Sequence, residues 1–231
     1  MARKKASHSG LLAGQKIVSV PNPIDTRTFA PEDKEKARLY AGLPADRRII
    51  LFVSQRVTDG RKGMDYFVAA LNKMVEKYPE MKETTGVAVL GGQAADIVPL
   101  LPLPAYPLGY VSEAKRIASI YNSADVFVLP SLEDNLPNTI MEAMACGVPC
   151  VGFNTGGIPE MIDHLHNGYV AEYKSSDDLA RGIRWVLCDA DRNALSANAL
   201  KKVNANYSQH AVAMKYIEAY NEATALKRYK L

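Results

Sequence analysis

The sequence predicts an α/β fold, a Rossmann-like parallel sheet with helices on both faces, and three observations carry that prediction. Short runs rich in β-branched and aliphatic residues, at 49–54 (IILFVS), 87–92 (VAVLGG), 125–130 (DVFVLP) and 148–153 (VPCVGF), alternate with helix-length segments. Those runs are apolar throughout rather than alternating, so both faces of the sheet are buried. The intervening segments carry apolar residues at helical spacing.

Taken in order, 16–20 (KIVSV) reads as a strand, and the turn-rich 21–31 (PNPIDTRTFAP) reads as a connection. After the strand at 49–54, a helix over 64–78 places Phe67, Ala70, Leu71, Met74 and Val75 on one stripe, with Asn72, Lys73, Glu76 and Lys77 facing water. Ser112 is the expected cap of a helix carrying Ile117, Ile120 and Tyr121. A short helix begins near Pro137, where the missing N–H costs nothing, and Gly147 ends it in a left-handed turn. Beyond residue 172 the pattern is helical: one helix starts at Ser175 and Asp178, one near Asp191, and one covers about 209–225.

Composition narrows the classes. The 231 residues are 48% apolar and 23% charged, with 28 Lys plus Arg against 25 Asp plus Glu, a net charge of +3. That balance is too mild and too interspersed for a nucleic-acid binder, and Arg3, Lys4 and Lys5 read as a solvated chain end. Cys146, Cys150 and Cys188 are odd in number and lack metal-ligand spacing, which points to a reducing compartment. His164 and His166 read as a surface turn before Asn167-Gly168, so no metal site is expected. No apolar run approaches the length of about 18 residues that spans a bilayer, and the first 20 residues lack a signal-peptide stretch; the expected location is cytoplasmic.

Residues 130–162 (PSLEDNLPNTIMEAMACGVPCVGFNTGGIPEMI) carry the chemistry. A loop with Glu133, Asp134 and Asn135 follows a strand and precedes a helix N-terminus, where free amides and the helix dipole attract phosphate. Glu142 lies about 7 Å along that helix, where its carboxylate would repel a phosphate placed beside it, and so suits the paired hydroxyls of a ribose. Taken singly these residues have plainer readings: Asp134 as a helix N-cap, Glu142 as a solvated helix residue, Gly156-Gly157 as an ordinary turn.

Jointly, this stretch resembles the donor-side signature of family 4 glycosyltransferases, retaining enzymes of the GT-B fold that use nucleotide sugars. The resemblance lies in two acids separated by seven positions, then Ala-Met-Ala-Cys-Gly-Val-Pro and Gly-Gly-Ile-Pro-Glu. Glu142 takes the second acidic position and Asp134 the first, where the family usually has Glu; Glu133 is the neighbouring alternative. Asn135 stands where the family usually has Gly, and the Asn-Leu-Pro-Asn-Thr wording (Asn135, Leu136, Pro137, Asn138, Thr139) is similar to that of members building bacterial surface polysaccharides. Upstream, Lys62-Gly63 resembles the family's Lys-Gly pair, and Arg56, with Arg61 as rival, its diphosphate-binding Arg.

The resemblance implies a role for each position. Lys62, Arg56 and the amides of the helix start stabilise the leaving diphosphate; Asp134 faces the donor sugar; Glu142 holds the ribose; Val111 lies beside the base; Gly156 and Gly157 allow close backbone approach. It implies no cofactor and no metal, the nucleotide sugar being a substrate. It also divides the chain: 1–20 end a connection from an absent N-terminal acceptor domain, 21–205 form the donor-binding domain, and 206–231 form a helix crossing back to the absent half through Tyr216, Ile217 and Tyr220. The implied partners are the nucleotide-sugar donor, that domain, and a glycan or lipid-linked acceptor, with peripheral contact to the inner membrane face through the missing half. A non-catalytic sugar-nucleotide-binding or docking module, and a sugar-nucleotide epimerase, are the competing readings.

Overall fold

The structure is a computed structural model describing residues 9–12 and 16–228; Arg3, Lys4 and Lys5, and the opening of the expected 1–20 connection, lie outside the described residues. Among these, six strands form one parallel sheet: β1 Arg48–Arg56, β2 Thr85–Gly92, β3 Ala105–Gly109, β4 Val126–Leu129, β5 Cys150–Phe153 and β6 Gly168–Ala171. Their spatial order is β3-β2-β1-β4-β5-β6. The chain starts in the middle, builds outward to β3, then returns to place β4 on the other side of β1. Connections on the two sides therefore leave in opposite directions, and a crevice opens where the carboxyl ends of β1 and β4 diverge.

The helices are α1 Lys34–Ala41, α2 Met64–Lys77, α3 Met81–Thr84, α4 Ala94–Ile97, α5 Ala114–Asn122, α6 Asn138–Ala145, α7 Ile158–Met161, α8 Ser176–Arg184, α9 Arg192–Asn206 and α10 Gln209–Arg228. Two apolar cores result, one on each sheet face. Helices α2 and α8 cover one through Phe67, Leu71, Met74, Leu179 and Ile183, and α5, α6 and α9 cover the other through Ile120, Ile140, Met144 and Val203. Ile49, Ile50, Leu51 and Phe52 of β1 are fully buried, as a strand covered on both sides must be. Phe52 stacks on Phe67 with ring centroids 5.4 Å apart, fixing α2 against β1.

Three features differ from the sequence reading. Residues 16–20 form no strand; extended chain alone makes no strand without a partner to pair with. Helix α5 starts from Glu113 rather than Ser112, with no side chain capping it. Strands β3 and β6 and helix α1 are additional to that reading. β3 contains Pro107, which an edge strand tolerates because its N–H is not needed there. Helix α1 has no apolar stripe; its ends are set by Asp33, which accepts from the Lys36 amide, and by Gly42 at φ +68°.

Its single buried charge explains why α1 docks. Arg38 donates to Asp125 at 2.6 Å, both groups buried, and the Ile49 amide donates to the same carboxylate at 2.6 Å. Lys34 at 3.0 Å and Arg192 at 2.7 Å complete the cluster. One carboxylate thus ties α1, β1 and α9 to the start of β4.

Candidate functional site

The crevice between the ends of β1 and β4 is assembled from three loops. After β1, Asp59 caps a single 3-10 turn, Gly60–Lys62, by accepting from the Arg61 amide. Gly63 then turns the chain into α2 at φ +74°, and a Cβ there would stand 1.9 Å from the Pro130 carbonyl oxygen. Only glycine lets the Lys62 turn lie this close to the end of β4. The Leu132 amide donates to the Arg61 carbonyl at 2.8 Å, pinning the second loop to the first.

That second loop, 131–137, holds the acids. Lys62 Nζ donates to Asp134 Oδ2 at 2.7 Å, with Asp134 partly buried, while Glu133 is exposed. The structure thus brings Lys62 to Asp134 rather than to its neighbour. Asp134 does not cap α6; Pro137 occupies the cap position and no side chain bonds to the first amides of the helix. The third loop closes from the other side. Gly157 donates its amide to the Asp134 carbonyl at 3.1 Å, and Cβ atoms on Gly156 and Gly157 would stand 1.7 Å and 2.0 Å from the carbonyl oxygens of Asp134 and Asn135. The close backbone approach that the Gly-Gly pair permits is therefore to the acid loop itself.

Two clefts flank the Lys62–Asp134 pair. One, about 860 Å³, is lined by Arg56, Arg61, Lys62, Gln93 and Tyr110 among others. Arg61 is engaged by Asp59 at 2.8 Å, and this pairing holds the Asp59 carboxyl below its usual range; Arg56 is exposed on the cleft wall. The other, about 610 Å³, is lined by Asn22, Asp134, Asn135, Leu136, Tyr207 and Lys215 among others. Asn138, at the first position of α6, accepts a hydrogen bond from Asn22 at 3.4 Å, and Thr139 is partly buried beside it.

Glu142 and Val111 line neither cleft wall. Val111 packs against the core under α5 and α6, and Glu142 accepts from Tyr121 Oη at 2.9 Å. Burial raises the Glu142 pKa above the ordinary carboxylate value, and the tyrosine hydrogen bond works against that rise. Sequence reasoning passed over Gln93, which adopts φ +66° and accepts from Thr58 at 2.7 Å, and Tyr110, 67% exposed at the cleft. The Gly-Gly-Gln ending of β2 is a readable signal for the first; the second has none.

A family profile described as "Glycosyl transferases group 1" matches residues 47–189, well over half of the chain. The chain belongs to the group 1 glycosyltransferases. Within this family it is 30% identical over 227 residues to D-inositol 3-phosphate glycosyltransferase of Thermobispora bispora, covering 89% of this chain and 50% of that protein. It is 32% identical over 195 residues to an uncharacterised glycosyltransferase of Methanocaldococcus jannaschii, covering 83% and 49%. The chain spans about half the length of the curated relatives it matches. Among solved structures, sucrose-phosphate synthase of Thermosynechococcus elongatus superposes with a TM-score of 0.73 at 25% identity, over 90% of this glycosyltransferase chain and 52% of that one. The fold is also that of Anabaena HepE, solved with UDP-glucose, with a TM-score of 0.72 at 20% identity over 88% and 57% of the two chains. The C-terminal domain of a group 1 glycosyltransferase from Francisella tularensis matches with a TM-score of 0.64 at 22% identity, over 80% of this chain and 99% of that domain.

Proposed function

We propose that the chain is the nucleotide-sugar-binding half of a retaining glycosyltransferase that moves a sugar from a nucleoside diphosphate to a hydroxyl acceptor. The observation that carries this reading is the meeting of Lys62 with Asp134 at the topological switch point of the sheet, between the ends of β1 and β4. An open parallel sheet takes ligands at that point. Here it presents a cation suited to a diphosphate and a carboxylate suited to a sugar, side by side. The match in length to a C-terminal domain, and HepE's co-structure with UDP-glucose, support the donor role.

Chemically, the anomeric C–O bond breaks and the nucleoside diphosphate departs with both bonding electrons. Negative charge grows on its phosphate while the sugar carbon turns oxocarbenium-like. Lys62, Arg56 and the uncapped amides at the start of α6, around Asn138 and Thr139, meet the growing negative charge. We take these groups, rather than a metal ion, as its counterpart. Asp134, with Asn135 and Leu136 beside it, faces the sugar: its carboxylate accepts from ring hydroxyls and stabilises the developing positive charge. Gly156 and Gly157 act on the sugar through the loop they support. Glu142 accepts from the ribose hydroxyls, and Val111 borders the base. Retention requires the acceptor oxygen to enter on the face the diphosphate leaves, so the acceptor approaches beside the departing phosphate. We assign that acceptor to the glycan or lipid-linked class, in cytoplasmic polysaccharide or glycoconjugate synthesis; no described helix is long and apolar enough to cross a membrane.

Before a donor binds, Lys62 is neutralised by Asp134, so the diphosphate has to take Lys62 over. Titration calorimetry with UDP, GDP and ADP tests the reading. At least one should bind, and Lys62→Ala should weaken that diphosphate about tenfold or more while leaving the bare nucleoside unaffected, because removing a charged hydrogen-bond partner costs about 1.5–3 kcal/mol. A folded chain that binds none of the three diphosphates would overturn the assignment.

A further inference from the structure

Tyr121 is fully buried and its ring is wedged edge-on between Phe29, at 6.3 Å, and Phe127, at 5.6 Å. A core tyrosine held this way has little rotational freedom, so its hydroxyl points in one direction. It donates to Glu142 Oε2 at 2.9 Å. Ionised carboxylates accept at both oxygens. With Oε2 held by the tyrosine, Oε1 has no hydrogen-bond partner among the described residues.

We infer that Tyr121 is a positioning residue for nucleotide recognition: it orients the Glu142 carboxylate so that its second oxygen accepts from the ribose hydroxyls. This rests on the ribose role proposed above for Glu142. The tyrosine is placed for the task because it reaches Glu142 from α5, a separate element packed on α6, so the carboxylate is fixed from outside its own helix. Desolvation pushes Glu142 towards the protonated form, which accepts poorly, and the Tyr121 hydrogen bond opposes that push. Replacing the hydroxyl by hydrogen therefore frees the carboxylate to rotate and favours its neutral form, while leaving the ring, and the core around it, in place.

Tyr121→Phe separates this role from a packing role. The readout is the ratio of affinities for the best-bound of UDP, GDP or ADP and for its 2′,3′-dideoxyribose analogue, measured on proteins that melt cooperatively. The native chain should prefer the ribose form about tenfold or more. In Tyr121→Phe that preference should fall at least threefold with the dideoxy affinity unchanged, and in a Glu142→Ala background the same substitution should change nothing further. Equal losses for both ligands, or an unchanged preference, would overturn the inference and leave the ribose role of Glu142 standing. A native chain with no preference for ribose would instead sink the ribose role itself, and the positioning role with it.

Discussion

Glu142 shows what a buried carboxylate costs the fold that carries it. Its carboxyl is largely removed from water and has one hydrogen-bond partner among the described residues, Tyr121. The sign of the consequence follows from linkage. Because burial raises the folded-state pKa above the ordinary value, the folded chain binds protons more tightly than the unfolded chain at this site. Stability contributed there is full below the ordinary pKa and is lost as pH rises through the raised one. Glu142→Gln keeps an acceptor for Tyr121 and removes the charge. It should raise the melting temperature at pH 7 by a degree or more, roughly the scale of a few tenths of a kcal/mol in a chain this size. The advantage should vanish near pH 4, while diphosphate affinity falls. A variant no more stable than the native chain at pH 7 would show that water or structure already compensates the carboxylate. The buried thiols of Cys146 and Cys150 are pushed up in pKa by the same desolvation, which leaves them unreactive packing groups.

At the scale of elements, the site depends on glycines that serve neighbouring backbone. Gly63 lets the Lys62 turn approach Pro130, and Gly156 and Gly157 let the third loop approach Asp134 and Asn135. The acid loop is thus clamped from both sides, which sets the Lys62–Asp134 distance. Gly156→Ala combines φ +58° with a Cβ 1.7 Å from a carbonyl oxygen, so the backbone has to move. The expected cost is about 1–3 kcal/mol of stability, with a larger loss of nucleotide-sugar than of nucleoside affinity, because the displaced loop carries Asp134. Gly60→Ala is the control: nothing lies within 4 Å of a Cβ there and its φ is ordinary, so denaturant unfolding should be unchanged within experimental error. Similar melting and binding in both variants would mean that the clamp is slack.

For the whole molecule, the Asp125 cluster ties α1, β1 and α9 together at the amino end of β4, while the carboxyl-end crevice is left open beside Asn22 and Lys215. On the last helix Met214, Tyr216, Ile217 and Tyr220 are each 45–67% exposed, and the two tyrosines stack at 6.2 Å. In the reading proposed above these surfaces face the acceptor-binding half. The chain by itself should then bind the donor and transfer nothing beyond slow hydrolysis, since positioning acceptor against donor supplies roughly 7–11 kcal/mol of barrier lowering. Mass spectrometry of the isolated chain incubated with its best-bound nucleotide sugar and candidate acceptors checks this. Multiple-turnover product would place the acceptor site within these 231 residues.

The sequence by itself determined the layers and named part of the cleft lining, Arg56, Lys62, Asp134, Asn135 and Leu136, whereas Glu142 and Val111 lie off both clefts. Helix α2 and strands β1, β4 and β5 were legible because burial on both faces makes strands continuously apolar, and one-sided burial gives helices a stripe; these are local consequences of global packing. Asp134, Glu142 and the Gly-Gly pair stood out in the sequence by their joint spacing, and Lys62 by the resemblance of Lys62-Gly63 to the family's pair; the structure brings Lys62, Asp134 and the Gly-Gly pair together. Helix α1 was not, because it is held by the Arg38–Asp125 contact across 87 positions rather than by an apolar face. Nor was the edge strand β3, whose Pro107 reads as a turn until its position in the sheet is known. Only the tertiary structure decided that Asp134 rather than Glu133 meets Lys62, that the Gly-Gly pair lies against the acid loop, and that Tyr121 holds Glu142. Each is a contact between residues distant in sequence, and such contacts come from the crossing order of the strands: β4 returns to lie beside β1, and that return brings the loops after them together.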